Sequence, residues 1–187
     1  MSTLTQKLLG NLVTNLYRPI VYDQGVGYSG ETLRADIAHV QAALEQMHVV
    51  RGERVLLAEV NSYAFIATYT ALILYGAVAV PVNPEMPRPE LLKVMTRADV
   101  AGAIISPRLL PHFTSEHDEA LPECLRFVAT LPADSTSAYA LTLLSYQAMR
   151  FQEKVVSPER QSACMSALQV GSSSVKEDDG AILLYTS

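Results

Sequence analysis

The side chains with chemical potential fall in a few places. Thr186 and Ser187 directly follow the apolar run 180–185, GAILLY. Hydroxyls and backbone N–H groups at the carboxyl end of a strand can surround an anion, which is how a phosphate-binding loop begins. By themselves the two residues suit the frayed end of a last strand equally well. His112, Glu116, His117, Asp118, Glu119 and Cys124 crowd together, and a His-x4-His pair with carboxylates raises the question of a metal. Metal sites need fixed ligands and a supporting shell. Pro111 and Pro122 bracket this stretch as a surface loop, so the expectation is no metal. Cys124 and Cys164 have no directly adjacent basic residue to lower a thiol pKa, and read as small buried or loop residues. His39 is expected on the polar, solvated side of a helix. Tyr63, Tyr69 and Tyr75 recur every six residues, which defines no single helix face. Core packing is their expected role, with an aromatic substrate wall as the alternative.

The elements that must position these groups are organised around residues 54–84. From Val60 to Pro84 the chain carries no charge. A run of roughly 20 apolar residues is long enough to span a membrane. Here Asn61-Ser62 opens the run, Gly76 interrupts it and Pro81 sits near its end. Asn61 is a candidate N-cap and Gly76 a candidate left-handed terminator. Between them 62–75 is apolar on nearly all sides, as a buried helix is. The flanks 55–60 and 77–82 are short and valine-rich, as strands buried on both faces are. Strand, buried helix and strand make a βαβ unit with parallel strands, not a membrane span.

Before this unit, residues 4–17 place Leu8, Leu9, Leu12, Val13 and Leu16 on one side of an amphipathic helix ended by Pro19. Residues 20–22 and 26–28 flank Asp23-Gln24-Gly25 and read as a hairpin, with Gly25 supplying positive φ. Ser29 is an N-cap candidate, and Leu33, Ile37, Val40, Leu44 and Met47 follow at helical spacing. After the unit, Pro89 suits the first position of a helix reaching about Arg97. Residues 99–106 and 125–130 are further buried strands. Residues 141–151 read as a short helix, 152–177 as a flexible loop and 180–187 as another buried strand.

Alternation of short apolar strands with helices predicts an α/β fold, a mainly parallel sheet flanked by helices on both faces. The 187 residues suffice for a single domain, 1–187. A net charge of −5 without a Lys/Arg cluster excludes a nucleic-acid surface. Two distant cysteines and an N-terminus lacking a continuous apolar h-region lead us to expect a reducing, cytoplasmic setting.

Two blocks of this sequence resemble the adenylate-forming ligase superfamily, which includes acyl-CoA synthetases, fatty acyl-AMP ligases and the adenylation domains of peptide synthetases. One is 28–106, containing YSGETL, GERV at 52–55, Asn61, YGAVAVPVNP at 75–84, ELLKVM and AGAIIS. The other is DDGAILLYTS at 178–187, similar to the run leading into that family's phosphate-binding loop. Together they cover about half the chain.

The resemblance implies ATP-dependent activation of a small-molecule carboxylic acid. A carboxylate oxygen attacks the α-phosphorus of ATP to give an acyl-adenylate and pyrophosphate. The thiol of CoA or of a carrier protein then accepts the acyl group. Holding several anions in line calls for Mg²⁺, backbone donors and a cation. It also implies that Thr186 and Ser187 open the loop around the β- and γ-phosphates; no catalytic residue carries over. The VPVNP form favours the acyl-CoA synthetase branch, with a peptide-synthetase adenylation domain as the alternative and a non-catalytic α/β interaction module as the reading from another class. The family's loop glycines and lysine, its hinge and its lid have no counterpart here. The expectation is therefore a first subdomain, inactive alone and able to self-associate through its truncated face.

Overall fold

The computed structural model describes residues 4–113, 120–131, 142–147 and 150–155. Helix α1 (Leu4–Thr14) packs Leu12 into the core, with Leu8 and Leu9 partly buried beside it. It stops three residues before the expected end, and Val13 is 63 % exposed, not part of the buried stripe. The cause is the next helix: the carbonyls of Asn15 and Leu16 accept the N–H groups of Gly30 and Glu31 at 3.3 and 2.7 Å. A Cβ on Gly30 would lie 2.6 Å from the Asn15 carbonyl oxygen, so this approach requires glycine.

Strands β1 (Pro19–Asp23) and β2 (Val26–Ser29) form the expected antiparallel hairpin. Its two-residue turn has Gln24 at φ 47° and Gly25 at φ 83°, the all-positive geometry that matches strand twist. Ser29 caps helix α2 (Gly30–Gln46), its Oγ accepting from Thr32 N at 3.1 Å. Leu33, Ile37, Val40 and Leu44 are buried along α2, as their spacing predicts.

Strand β3 (Arg54–Ala58), helix α3 (Tyr63–Tyr75) and strand β4 (Val78–Val82) are the βαβ unit. Gly76 terminates α3 at φ 90°. The N-cap is Ser62, whose Oγ accepts from Phe65 N at 3.2 Å, and not Asn61. Ala67, Thr68, Ala71, Leu72 and Leu74 are fully buried, which accounts for the uncharged run without a membrane. Among the described residues no helix is long and apolar enough to cross one.

Helix α4 (Arg88–Ala98) begins one residue before Pro89, and strand β5 (Val100–Ile105) follows. A 3₁₀ segment (Pro107–Phe113) leads towards strand β6 (Phe127–Thr130). Strands β7 (Thr142–Gln147) and β8 (Arg150–Val155) replace the helix expected over 141–151, and residues 152–155 are strand, not loop. Tertiary context overrides the local pattern here. The outer edge of β6 carries backbone donors and acceptors that β7 satisfies, pairing Phe127 with Ser145 and Thr130 with Thr142.

The six-stranded sheet runs β4-β3-β5-β6-β7-β8. Its first four strands are parallel and its last two antiparallel. Val55, Leu57, Ala79 and Ile104 face one core beneath α1, α2 and α3. Leu56, Val80, Ala103 and Ile105 face a second core beneath α4 and the 3₁₀ segment. Both faces are covered, as parallel strands require. The remaining 156–177, expected as loop, and 180–187, expected as strand, lie outside the described residues.

Candidate functional site

The chain leaves β3 for β4 on one side and returns from β4 to β5 on the other. The connecting helices α3 and α4 lie on opposite faces. Loops leaving such strands diverge, and ligands of open α/β sheets bind outside the carboxyl ends where they do. Register brings those ends level: Ala58 pairs with both Val82 and Ile105, and Ile105 with Thr130. Ser106 N closes the β3–β5 junction by donating to Ala58 O at 2.9 Å.

Between the β3–α3 and β4–α4 loops a cavity of about 430 Å³ opens, lined by Glu59, Val60, Asn61, Phe65, residues 81–84 and Glu85. Asn83 Oδ1 accepts from Glu85 N at 2.9 Å and shapes the second loop. A neighbouring cavity of about 340 Å³ shares Asn61 and Phe65 and adds Tyr22, Asp23, Ser62, Tyr63 and Ile66. Apolar and amide side chains make up much of these walls, and the smaller cavity adds the Asp23 carboxylate and the Tyr22 and Ser62 hydroxyls. The larger cavity has two carboxylates, Glu59 and Glu85, and no cationic lining residue. Arg108 Nη1 stands 3.5 Å from the Glu85 carboxylate.

The first turn of α3 contributes Phe65 to the wall, and a helix N-terminus attracts phosphate. This one is already occupied: Asp23 Oδ2 accepts from Tyr63 N at 2.8 Å, and Ser62 Oγ takes Phe65 N. The described crevice therefore supplies walls and two acidic groups but does not, by itself, fit a triphosphate. Thr186 and Ser187, the residues expected to meet phosphate, lie outside the described residues, as do Glu116, His117, Asp118, Glu119 and Cys164.

Of the other expected residues, His112 closes the 3₁₀ segment, where its carbonyl accepts from Arg88 Nε at 2.9 Å. No group of three His, Cys, Asp or Glu among the described residues could hold a metal. Cys124 lies at the opposite, amino edge of the sheet, in a cleft of about 390 Å³ with Arg51, Glu53, Arg54, Asp99 and Arg126. Arg126, two residues after Cys124, and the sequence-distant Arg51 and Arg54 thus share its cleft. The thiol pKa is nevertheless raised, first by burial and then by the Asp99 carboxylate. His39 is only partly solvated: its side chain is 19 % exposed, with Nδ1 3.9 Å from Asp36.

The tyrosines pack as expected. Tyr63 is 2 % exposed, and Tyr75 donates to the Val49 carbonyl at 2.9 Å. Burial raises the pKa of Tyr69 and of Tyr75, the latter also through Glu45 and Glu53. Asp23 and Asp36 carried no local signal of a role, because their partner Tyr63 lies 40 and 27 residues away.

The AMP-binding enzyme family matches residues 14–187. The chain belongs to that family. Solved structures of low sequence identity share the fold. The anthranilate CoA ligase AuaEII, solved in complex with anthranoyl-AMP, is 17 % identical with a TM-score of 0.57, over 77 % of this chain and 34 % of that one. The N-terminal domain of FACL13 from Mycobacterium tuberculosis is 17 % identical with a TM-score of 0.61, over 78 % and 44 %. The nonribosomal peptide synthetase FmoA3 is 12 % identical with a TM-score of 0.56, over 77 % and 17 %. The chain thus spans less than half the length of each of these. No curated protein matches it.

Proposed function

We propose that the chain is the N-terminal part of an ATP-dependent, AMP-forming acid–thiol ligase acting in the cytoplasm. The observation that carries this reading is the family match over residues 14–187, which includes Thr186 and Ser187. In this reading a carboxylate oxygen bonds to the α-phosphorus of ATP as the bond to pyrophosphate breaks. The thiol of CoA or of a carrier protein then displaces AMP from the acyl carbon. Thr186 and Ser187 begin the loop around the β- and γ-phosphates, where hydroxyls and backbone N–H groups stabilise charge. Glu59 and Glu85 of the crevice repel phosphate, and Mg²⁺, when bound, would supply the countercharge.

The VPVNP form of residues 80–84 supports the acyl-CoA synthetase branch. The adenylation-domain alternative keeps its place because a peptide synthetase shares the fold at similar TM-score. Pyrophosphate–ATP exchange with a panel of carboxylic acids tests the reading on the full protein that the gene encodes. Acid-dependent exchange is expected there, and none above background from the 187 residues assayed alone. Exchange independent of any acid, or absent with every acid from the full protein, would overturn the ligase reading in favour of an interaction module.

A further inference from the structure

Tyr63 begins α3, two residues after Asn61 of the crevice wall, and three elements hold it. From β1, Asp23 Oδ2 accepts its backbone N–H at 2.8 Å. From β2, the Tyr28 ring stacks on its ring with centroids 3.6 Å apart and planes 8° from parallel. From α2, Asp36 Oδ2 accepts its phenol O–H at 2.5 Å, the short distance of a charge-assisted hydrogen bond. A phenylalanine would fill the same volume and stack on Tyr28 equally well. The hydroxyl and the two carboxylates therefore add direction, not packing.

We infer that Asp23 and Asp36 are positioning residues, which act through Tyr63 to fix the lip 59–62 of the crevice. Asn61 and Phe65 line both the 430 Å³ and the 340 Å³ cavities, so a shift of Tyr63 along or about its helix would reshape both. That the lip faces a ligand rests on the ligase reading; that it is held by these carboxylates does not.

Amide hydrogen exchange on the 187-residue chain tests this without any ligand, so its failure is distinct from failure of the ligase reading. Asp23→Ala is expected to speed exchange at residues 59–65 roughly fivefold, the loss typical of an uncapped helix start. Leu56 and Leu57 in β3 should keep their rates. Asp23→Asn, which retains a side-chain carbonyl acceptor, should restore most of the protection. Tyr63→Phe, the mild variant for Asp36, should speed exchange at the same amides and spare β3. Unchanged rates at 59–65, a uniform rise that includes β3, or an asparagine variant no better than alanine would each overturn the inference.

Discussion

Gly102→Ala is a one-carbon change for which the structure gives a definite cost. Gly102 of β5 pairs with Phe127 of β6, and the ring lies across the glycine. A Cβ there would meet Phe127 Cζ, Cε1 and Cε2 at 2.0, 2.1 and 2.4 Å, where ordinary contact begins at 3.4 Å. The ring must retreat by more than an ångström, yet Phe127 is 3 % exposed within the core beneath α2 and α3. Overpacking of this kind costs about 1–3 kcal/mol, and a buried aromatic with no free side to turn to belongs at the upper end. Glycine-to-alanine in a strand otherwise gains about 0.5–1 kcal/mol, so the net cost should be about 2 kcal/mol. For a chain of this size that is a melting-temperature fall of roughly 4–8 °C. Urea denaturation followed by circular dichroism reads it directly. The double variant with Phe127→Ala should cost less than the two single variants combined by at least about 1 kcal/mol, because the cavity receives the new methyl. Gly10→Ala in α1, which meets nothing within 4 Å, should instead stabilise by up to about 1 kcal/mol. A Gly102→Ala variant within about 0.5 kcal/mol of the parent, or strictly additive with Phe127→Ala, would refute the close approach.

Ser62→Ala should lower stability by about 1 kcal/mol through loss of the bond to Phe65 N, while Asn61→Ala changes it by less than about 0.5 kcal/mol; paired urea titrations separate the two. Gly30→Ala should destabilise by about 1–3 kcal/mol in the same assay, since its Cβ would press on the Asn15 and Leu12 carbonyls at 2.6 and 2.9 Å. Alkylation of Cys124 by iodoacetamide should be slower at pH 8 than that of an unstructured cysteine, because its raised pKa leaves less thiolate. Asp99→Asn removes the carboxylate while tolerating the residue's φ of 49°, so its alkylation profile should move to lower pH. An unchanged profile would separate the thiol from Asp99.

Much of the site's frame was legible because its signals are local. Gly76 and Gly25 announce positive φ, and both have it. The α2 stripe announces its buried face. The sequence alone does not separate Asn61 from Ser62 as the cap, because both are good caps and the choice depends on what else each side chain meets. Asn61 turns out to line the crevice, and Ser62 bonds the helix. The helix expected over 141–151 failed for a related reason. A short, weakly patterned segment takes the structure its neighbour's open edge offers, and β6 offered backbone hydrogen bonds.

The sequence by itself determined the alternation of strand and helix, the burial of the uncharged run and the two glycine turns. Each follows from side-chain period and backbone sterics within a few residues. Only the tertiary structure decided that β3 lies between β4 and β5 with level carboxyl ends, that Asp23 reaches Tyr63 across 40 residues, and that Phe127 rests on Gly102. These are contacts between distant parts of the chain. Their geometry is set by packing two cores against one sheet, and no local pattern encodes it.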